Sequence, residues 1–232
     1  MPQPRNHWLS VQGGEPASVR EEGFLKVKLK VGPFLGGVAE EIQRWMREGF
    51  QVRLDANESV PFRDWVVWWM DLPSQIRDAI DWIEDPCPWG RFRWKLLQSM
   101  GVPLAADRQV QKRLFSVDVA VYKAATDGSR IDENALDAYL IEWAFRGGGR
   151  KLSVTSYMDH PVGQMWAAYA AGCFENVAGD RMDECGLLTH LCFEEDSFTE
   201  QIRYEDTRLI TPQGTGLGFD DLLEKLPWKR LN

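Results

Sequence analysis

Short apolar runs of period two alternate with longer stretches of period near 3.6 along most of the chain; the first pattern reads as strand and the second as helix. The clearest strand is GFLKVKLKVG, residues 23–32, where Leu25, Val27, Leu29 and Val31 alternate with Lys26, Lys28 and Lys30. One face is therefore aliphatic and the other carries three ammonium groups. At a sheet edge those lysines would face solvent and discourage edge pairing. In a closed barrel clad in helices, the aliphatic face packs outward and the later lysines point into the barrel mouth, where they need partners. Further strands are expected at 7–11, 50–56, 81–86, 102–107, 117–125, 150–156 and 183–190.

Helices are expected at 35–49, stopped by Gly49, and at 61–73, opened by Pro61. Others follow in PSQIRDAI, at 91–101, in VQKRLFS, at 132–149 with Asp132 as cap candidate, and in the small-residue-rich 162–177. QGGEPAS, residues 12–18, reads as a loop. Strand followed by helix, repeated along the chain, implies a parallel sheet with helices outside it. The α/β class then favours a closed TIM-like barrel, (β/α)8 or (β/α)7β, over a doubly wound sheet. Residues 1–232 are taken as one barrel domain whose tail, from about residue 200, packs back on the barrel.

Composition narrows the function classes. The chain has 35 acidic against 27 basic residues, a net charge of -8, which argues against nonspecific nucleic-acid binding. Seven of its 11 tryptophans lie in DWVVWWM, DWIEDPCPWG, RFRW and EWAF, as expected of helix faces packed on a sheet; only RFRWK offers the basic interleaving of a base-stacking surface. Four scattered cysteines without a CxxC pair and three separated histidines make a zinc site improbable. No apolar run reaches membrane-spanning length and no secretory signal is visible, so a cytoplasmic protein without a membrane partner is expected. Nothing in the pattern fixes an oligomeric state. GTGLG, residues 214–218, lacks the downstream βαβ unit that a dinucleotide loop needs.

The candidate chemistry lies at the strand ends. Lys28 and Lys30 end the second strand, Asp55 the third, Glu84 the fourth, Asp107 the fifth and Lys123 the sixth. In a barrel these ends surround one mouth, where active sites occur. Three converging carboxylates raise one another's pKa unless a cation joins them. With no His or Cys nearby, oxygen ligands point to Mg²⁺ or Mn²⁺. The flanking lysines can reach a substrate carbon, and crowding among cations lowers a lysine's pKa, which suits a base. Each residue alone also has an ordinary explanation. LDAN fits an Asx turn, IEDP a solvated turn, Asp107 and Arg108 a surface pair, and Lys123 a solvent-facing lysine.

These motifs, in order, resemble the enolase superfamily, in the branch containing muconate lactonizing enzyme, dipeptide epimerases and o-succinylbenzoate synthase. GFLKVKLKVG is similar to its Lys-x-Lys strand, and VRLDAN, WIEDP and LAAD to its three metal-ligand strands; VDVAVYKAA resembles the strand bearing the opposing lysine. LSVTSYMDHPVGQMWAAYAAG is similar to the seventh-strand motif, and TSYMDHPVG looks closest to divergent o-succinylbenzoate synthases. The resemblance implies an enolase C-terminal-domain-like barrel holding Mg²⁺ on Asp55, Glu84 and Asp107. It implies a small carboxylate substrate met by Thr155, Ser156 and Tyr157, with Lys30 as base and acid, Lys28 polarising the carboxylate and Lys123 across the ring. The implied reaction is syn dehydration of 2-succinyl-6-hydroxycyclohexa-2,4-diene-1-carboxylate to o-succinylbenzoate in menaquinone biosynthesis. An N-succinylamino acid racemase, a dipeptide or acid-sugar epimerase, and a noncatalytic barrel scaffold are the alternatives. Family members precede the barrel with an α+β capping domain, which this chain is expected to lack. Arg108 stands where an acid usually follows the third ligand.

Overall fold

Seven strands lie side by side in sequence order, all parallel: β1 (Trp8–Leu9), β2 (Lys26–Lys30), β3 (Gln51–Asp55), β4 (Ile80–Glu84), β5 (Leu104–Ala106), β6 (Val119–Lys123) and β7 (Lys151–Thr155). The computed structural model describes residues 3–127 and 138–229. The helices between strands are α1 (Pro16–Glu21), α2 (Val38–Arg47), α3 (Phe62–Asp71), α4 (Ser74–Ala79), α5 (Arg91–Ser99), α6 (Val110–Arg113), α7 (Ala124–Asp127) and α8 (Ala138–Arg146). After β7 come α9 (Pro161–Ala178), a hairpin of β8 (Arg203–Glu205) with β9 (Arg208–Ile210), and α10 (Asp220–Leu223).

The sheet curls until its ends meet. Residues 182–186 form isolated parallel bridges to β7 through Leu152 and Thr155 and to the N-terminal segment through Asn6. The backbone bonds agree: Gly186 donates to Val154 O, Cys185 to Arg5 O, and His7 to Cys185 O. The result is a nearly closed (β/α)7–8 barrel.

Two sequence expectations change. Residues 183–190 do not form an eighth strand, only these bridges followed by a 3-10 turn at Thr189–Cys192. The cause is visible at Glu184, whose carbonyl is taken by the Arg53 guanidinium at 2.6 Å and the Ser153 hydroxyl at 3.0 Å rather than by a ladder amide. The loop expected at 12–18 turns helical at Pro16, because proline suits the first helical position and Val19 buries against the core. Asp132 lies outside the described residues.

Period two sorts the barrel strands. Val27, Leu29, Val52, Leu54, Ala120, Tyr122, Leu152 and Val154 face outward into one apolar core with the helices. The helix faces supply Ile42, Trp45, Trp65, Trp69, Trp94 and Leu97, so the tryptophans pack on the sheet as their clustering implied. Their indole N–H groups pin loops: Trp65 donates to Pro86 O at 2.5 Å and Trp94 to Cys87 O at 3.2 Å. Trp94 is thus unavailable for stacking on a base. The inward positions Trp82, Ala105, Val119 and Val121 make a separate small apolar girdle inside the barrel.

At the tail, Asn6 donates through its backbone and side chain to Thr207 O, and Tyr204 packs on Phe24. The Asp220 carboxylate accepts the Thr215 amide at 2.9 Å, so the glycine-rich GTGLG loop is filled by the chain's own acid. No helix among the described residues is long and apolar enough to cross a membrane.

Candidate active site

Strand register puts the expected site residues at one end. Lys30 pairs with Asp55 across β2 and β3, Asp55 with Glu84 across β3 and β4, and Lys123 with Thr155 across β6 and β7. Because the last residues of β2, β3, β4, β6 and β7 point inward and Asp107 follows β5 by one residue, the pleat brings these groups to the barrel mouth.

A cavity of about 500 Å³ opens there, walled by Lys28, Lys30, Asp55, Lys123, Thr155, Ser156 and Tyr157 together with Asn57, Met158, Thr189 and Cys192. Glu84 and Asp107 lie beneath this wall, 1% and 5% exposed. Lys28 reaches Glu84 at 3.1 Å and Asp55 at 3.3 Å, Lys30 reaches Asp55 at 2.8 Å, and Lys123 ion-pairs with Asp107. Lysines therefore separate the carboxylates, and no three metal-ligating side chains form a cluster among the described residues. The chemistry of the donor set nonetheless fits a hard cation. Glu84 Oε1 is buried without a partner. Burial, reinforced by Asp55, Asp107 and Asp85, pushes the Glu84 carboxyl up to about 8 even beside Lys28. Three lysines thus stand against three carboxylates, and the unpartnered Glu84 Oε1 is the atom that offers a cation a place.

Asp55 goes the other way: burial opposes ionisation, but Lys28 and Lys30 hold its carboxyl below the ordinary value. Lys28 corrects the expectation about crowded cations. Although burial pulls its ammonium down, Glu84, Asp55 and Asp107 outweigh burial and hold it protonated. Of the ordinary explanations, the Asx bond is present, with Asn57 N–H donating to Asp55 Oδ1 at 3.2 Å. The others fail, since Glu84 and Asp85 are buried and Arg108 approaches Glu58 rather than Asp107.

Thr155 Oγ1 donates to Gly186 O at 3.1 Å and Ser156 Oγ lies 2.5 Å from Thr189 Oγ1, while the exposed Tyr157 ring sits 5.6 Å from Lys123 Nζ. Thr189 falls within the expected strand 183–190 and Cys192 just beyond it, where the pattern loosens, so neither stood out; Asn57 and Met158 lie inside the motifs VRLDAN and TSYMDHPVG without a site role of their own.

Next to this cavity, sharing Met158, lies a second of about 390 Å³ that includes His190. Burial pushes the His190 imidazole down to about 4, and Gln164 Nε2 approaches its Nδ1 at 2.8 Å. A histidine whose folded pKa lies below its unfolded value of 6.5 contributes stability above 6.5 that is lost as pH falls toward about 4. The urea midpoint should fall across that window, and His190→Gln should flatten part of the decline. Parallel curves for the two proteins would rule this out.

A family model described as Enolase C-terminal domain-like matches residues 15–221. The chain belongs to this family, within the enolase superfamily. Among curated relatives, o-succinylbenzoate synthase of Bdellovibrio bacteriovorus is 32% identical over 232 residues, covering 97% of this chain and 67% of its own length. Solved members of similar fold include a mandelate racemase/muconate lactonizing protein from Herpetosiphon aurantiacus, with TM-score 0.69 and 14% identity over 89% of this chain and 61% of that one. A dipeptide epimerase from Enterococcus faecalis, complexed with Mg and L-Leu-L-Tyr, gives 0.68 and 17% over 93% and 63%. Another from Cytophaga hutchinsonii, complexed with Mg and D-Ala-L-Val, gives 0.66 and 19% over 94% and 61%. The chain thus spans less than two thirds of these solved relatives. Their different reactions mean that the family's fold does not select a substrate.

Proposed function

We propose that this chain is a Mg²⁺-dependent enzyme of the o-succinylbenzoate synthase type, dehydrating 2-succinyl-6-hydroxycyclohexa-2,4-diene-1-carboxylate. The supporting observation is that Lys28, Lys30, Lys123 and Asp55 line one cavity while Glu84 and Asp107, ion-paired to those lysines, lie beneath it, in a chain 32% identical to a synthase. Asp55, Glu84 and Asp107 would hold the ion, with Mn²⁺ an acceptable substitute. When bound, the ion supplies Lewis-acid stabilisation of charge on the substrate carboxylate.

The chain's own residues do the rest. Lys30 Nζ takes the proton alpha to the carboxylate, and the electron pair of that C–H bond moves onto the carboxylate. The pair returns to form the ring double bond as the neighbouring C–O bond breaks. Lys30 gives its proton to the departing hydroxyl, and water leaves. Lys28, held protonated by the acids below it, polarises the substrate carboxylate. Lys123 stabilises charge from the opposite wall, and Thr155, Ser156 and Tyr157 line the side where the succinyl arm would lie.

A racemase or epimerase is the second candidate, because lysines on β2 and β6 face the same cavity, as a two-base mechanism requires. The metal assignment is tested by calorimetric titration with Mg²⁺. Glu84→Gln removes a charge at nearly constant shape and should weaken binding tenfold or more, by about 1.4 kcal/mol or above. Equal affinity in the two proteins would remove the site.

A further inference from the structure

Between residues 55 and 110 the left-handed non-glycine residues are Asn57, Glu58, Asp85 and Gln109, with φ from 43° to 63°. Every one lies within three residues after Asp55, Glu84 or Asp107. Such backbone persists only where neighbours over-determine it, and one buried ion pair makes contacts at two of these residues, Asp85 and Glu58, and at Arg108 beside Gln109. Asp85 is fully buried and Arg113 is 3% exposed. The Asp85 carboxylate accepts the Arg108 amide at 3.1 Å and, more weakly, the Asp107 amide at 3.4 Å. The Asp85 carbonyl accepts the Glu58 amide at 2.7 Å, and its own amide donates to Ala105 O at 3.1 Å. Arg113 Nη1 donates to Asp85 Oδ1 at 3.0 Å and ion-pairs with Glu58 Oε1 at 2.8 Å. Its guanidinium lies 5.4 Å from the Trp89 ring centre and 5.2 Å from that of Trp94.

Loops from three strands thus meet on two side chains, neither of which lines the cavity. We propose that the buried Asp85–Arg113 pair is a positioning element that sets the spacing of Asp55, Glu84 and Asp107, and thereby their affinity for a divalent cation. Aspartate suits the place because it tolerates a left-handed backbone while presenting two acceptors to two successive amides. Arginine suits it because a flat guanidinium can reach both carboxylates through Nη1 while its face packs against two indoles, a face that an ammonium lacks. The inference rests on the metal assignment proposed above.

The test compares Mg²⁺ affinity by calorimetry in the unmodified chain, Asp85→Asn, Arg113→Met and Arg113→Lys, with the metal-free melting temperature of each by circular dichroism. Altering a group that orients metal ligands commonly costs tenfold to a hundredfold in affinity. Asp85→Asn and Arg113→Met should show a loss of about that size, and Arg113→Lys a smaller one. For Asp85→Asn, saturating Mg²⁺ should restore most of the turnover. A pair that only packs the core would lower the melting temperature and leave the folded protein's Mg²⁺ affinity unchanged. That result overturns the inference while the metal assignment stands. Failure of the unmodified chain to bind Mg²⁺ overturns both. If Arg113→Met does not fold, Asp85→Asn decides, since asparagine accepts the same backbone conformation.

Discussion

Alanine at position 30 is expected to lower kcat for dehydration by about 10²–10⁴-fold while Mg²⁺ affinity stays within about twofold of the unmodified chain. Lys30 is the lysine suited to this split. Its side chain is 53% exposed into the cavity, it contacts Asp55 alone among the three acids, and it ends the strand nearest the mouth. Lys28, by contrast, is half-buried between Asp55 and Glu84, so removing it would strip Glu84 of its counter-ion and confuse catalysis with site integrity. Lys123→Arg sharpens the test. Arginine keeps the cation on the β6 wall but cannot act as a base near neutral pH, so a one-base elimination should survive in part. A two-base racemisation should stop. Full loss of dehydration in Lys123→Arg, with metal binding intact, would refute the single-lysine mechanism. Solvent-deuterium exchange at the alpha carbon, measured on candidate acids, separates proton abstraction from the later loss of hydroxide.

The largest effect on stability is expected at the other end of the barrel. Arg53 is fully buried, ion-pairs with Asp81 and Asp183 at 2.7 Å each, and lies 4.7 Å from the Trp82 ring centre. Lys26, the third lysine of the β2 face, bridges the same two aspartates at 3.0 and 2.7 Å. Arg53 Nη1 also meets His7 Nδ1 at 2.7 Å, and burial followed by Arg53 and Lys28 holds that imidazole well below its ordinary pKa. Arg53→Met keeps most of the volume but leaves the half-buried Asp81 and Asp183 carboxylates with only Lys26 and strips the buried His7 and Glu184 carbonyl of a donor, and should cost about 3 kcal/mol in urea unfolding. A loss under about 0.5 kcal/mol would show that the cluster contributes nothing net. The pH dependence has a definite sign. Although burial raises it, Arg53 and Lys26 bring the Asp183 carboxyl down to about 2. Its contribution is present above the ordinary aspartate value and lost as pH falls toward about 2. Asp183→Asn should remove that part of the acid transition.

The sequence by itself determined the barrel and the contents of its mouth, because both follow from period two. In a strand whose alternate positions are Val27 and Leu29 against Lys28 and Lys30, once the repeated strand–helix pattern closes into a barrel the aliphatic face meets helices and the charged face meets the interior. The same parity places Asp55, Glu84 and Lys123 inward at strand ends, so their convergence could be read one strand at a time. Three things needed the tertiary structure. Residues 182–186 complete the ring by isolated bridges because Arg53, from β3, takes the Glu184 carbonyl, a contact across 131 residues that no local pattern announces. The protonation state of Lys28 depends on the distances to Glu84, Asp55 and Asp107, and those acids reverse the shift expected from crowded lysines. The Asp85–Arg113 pair joins a residue within a recognised motif to one in an unremarkable short helix. Only the packing of Trp89 and Trp94 around that arginine gives it a role. Local pattern fixes which way a side chain points; which charges then meet, and which of them prevails, is settled by the distances the closed barrel imposes.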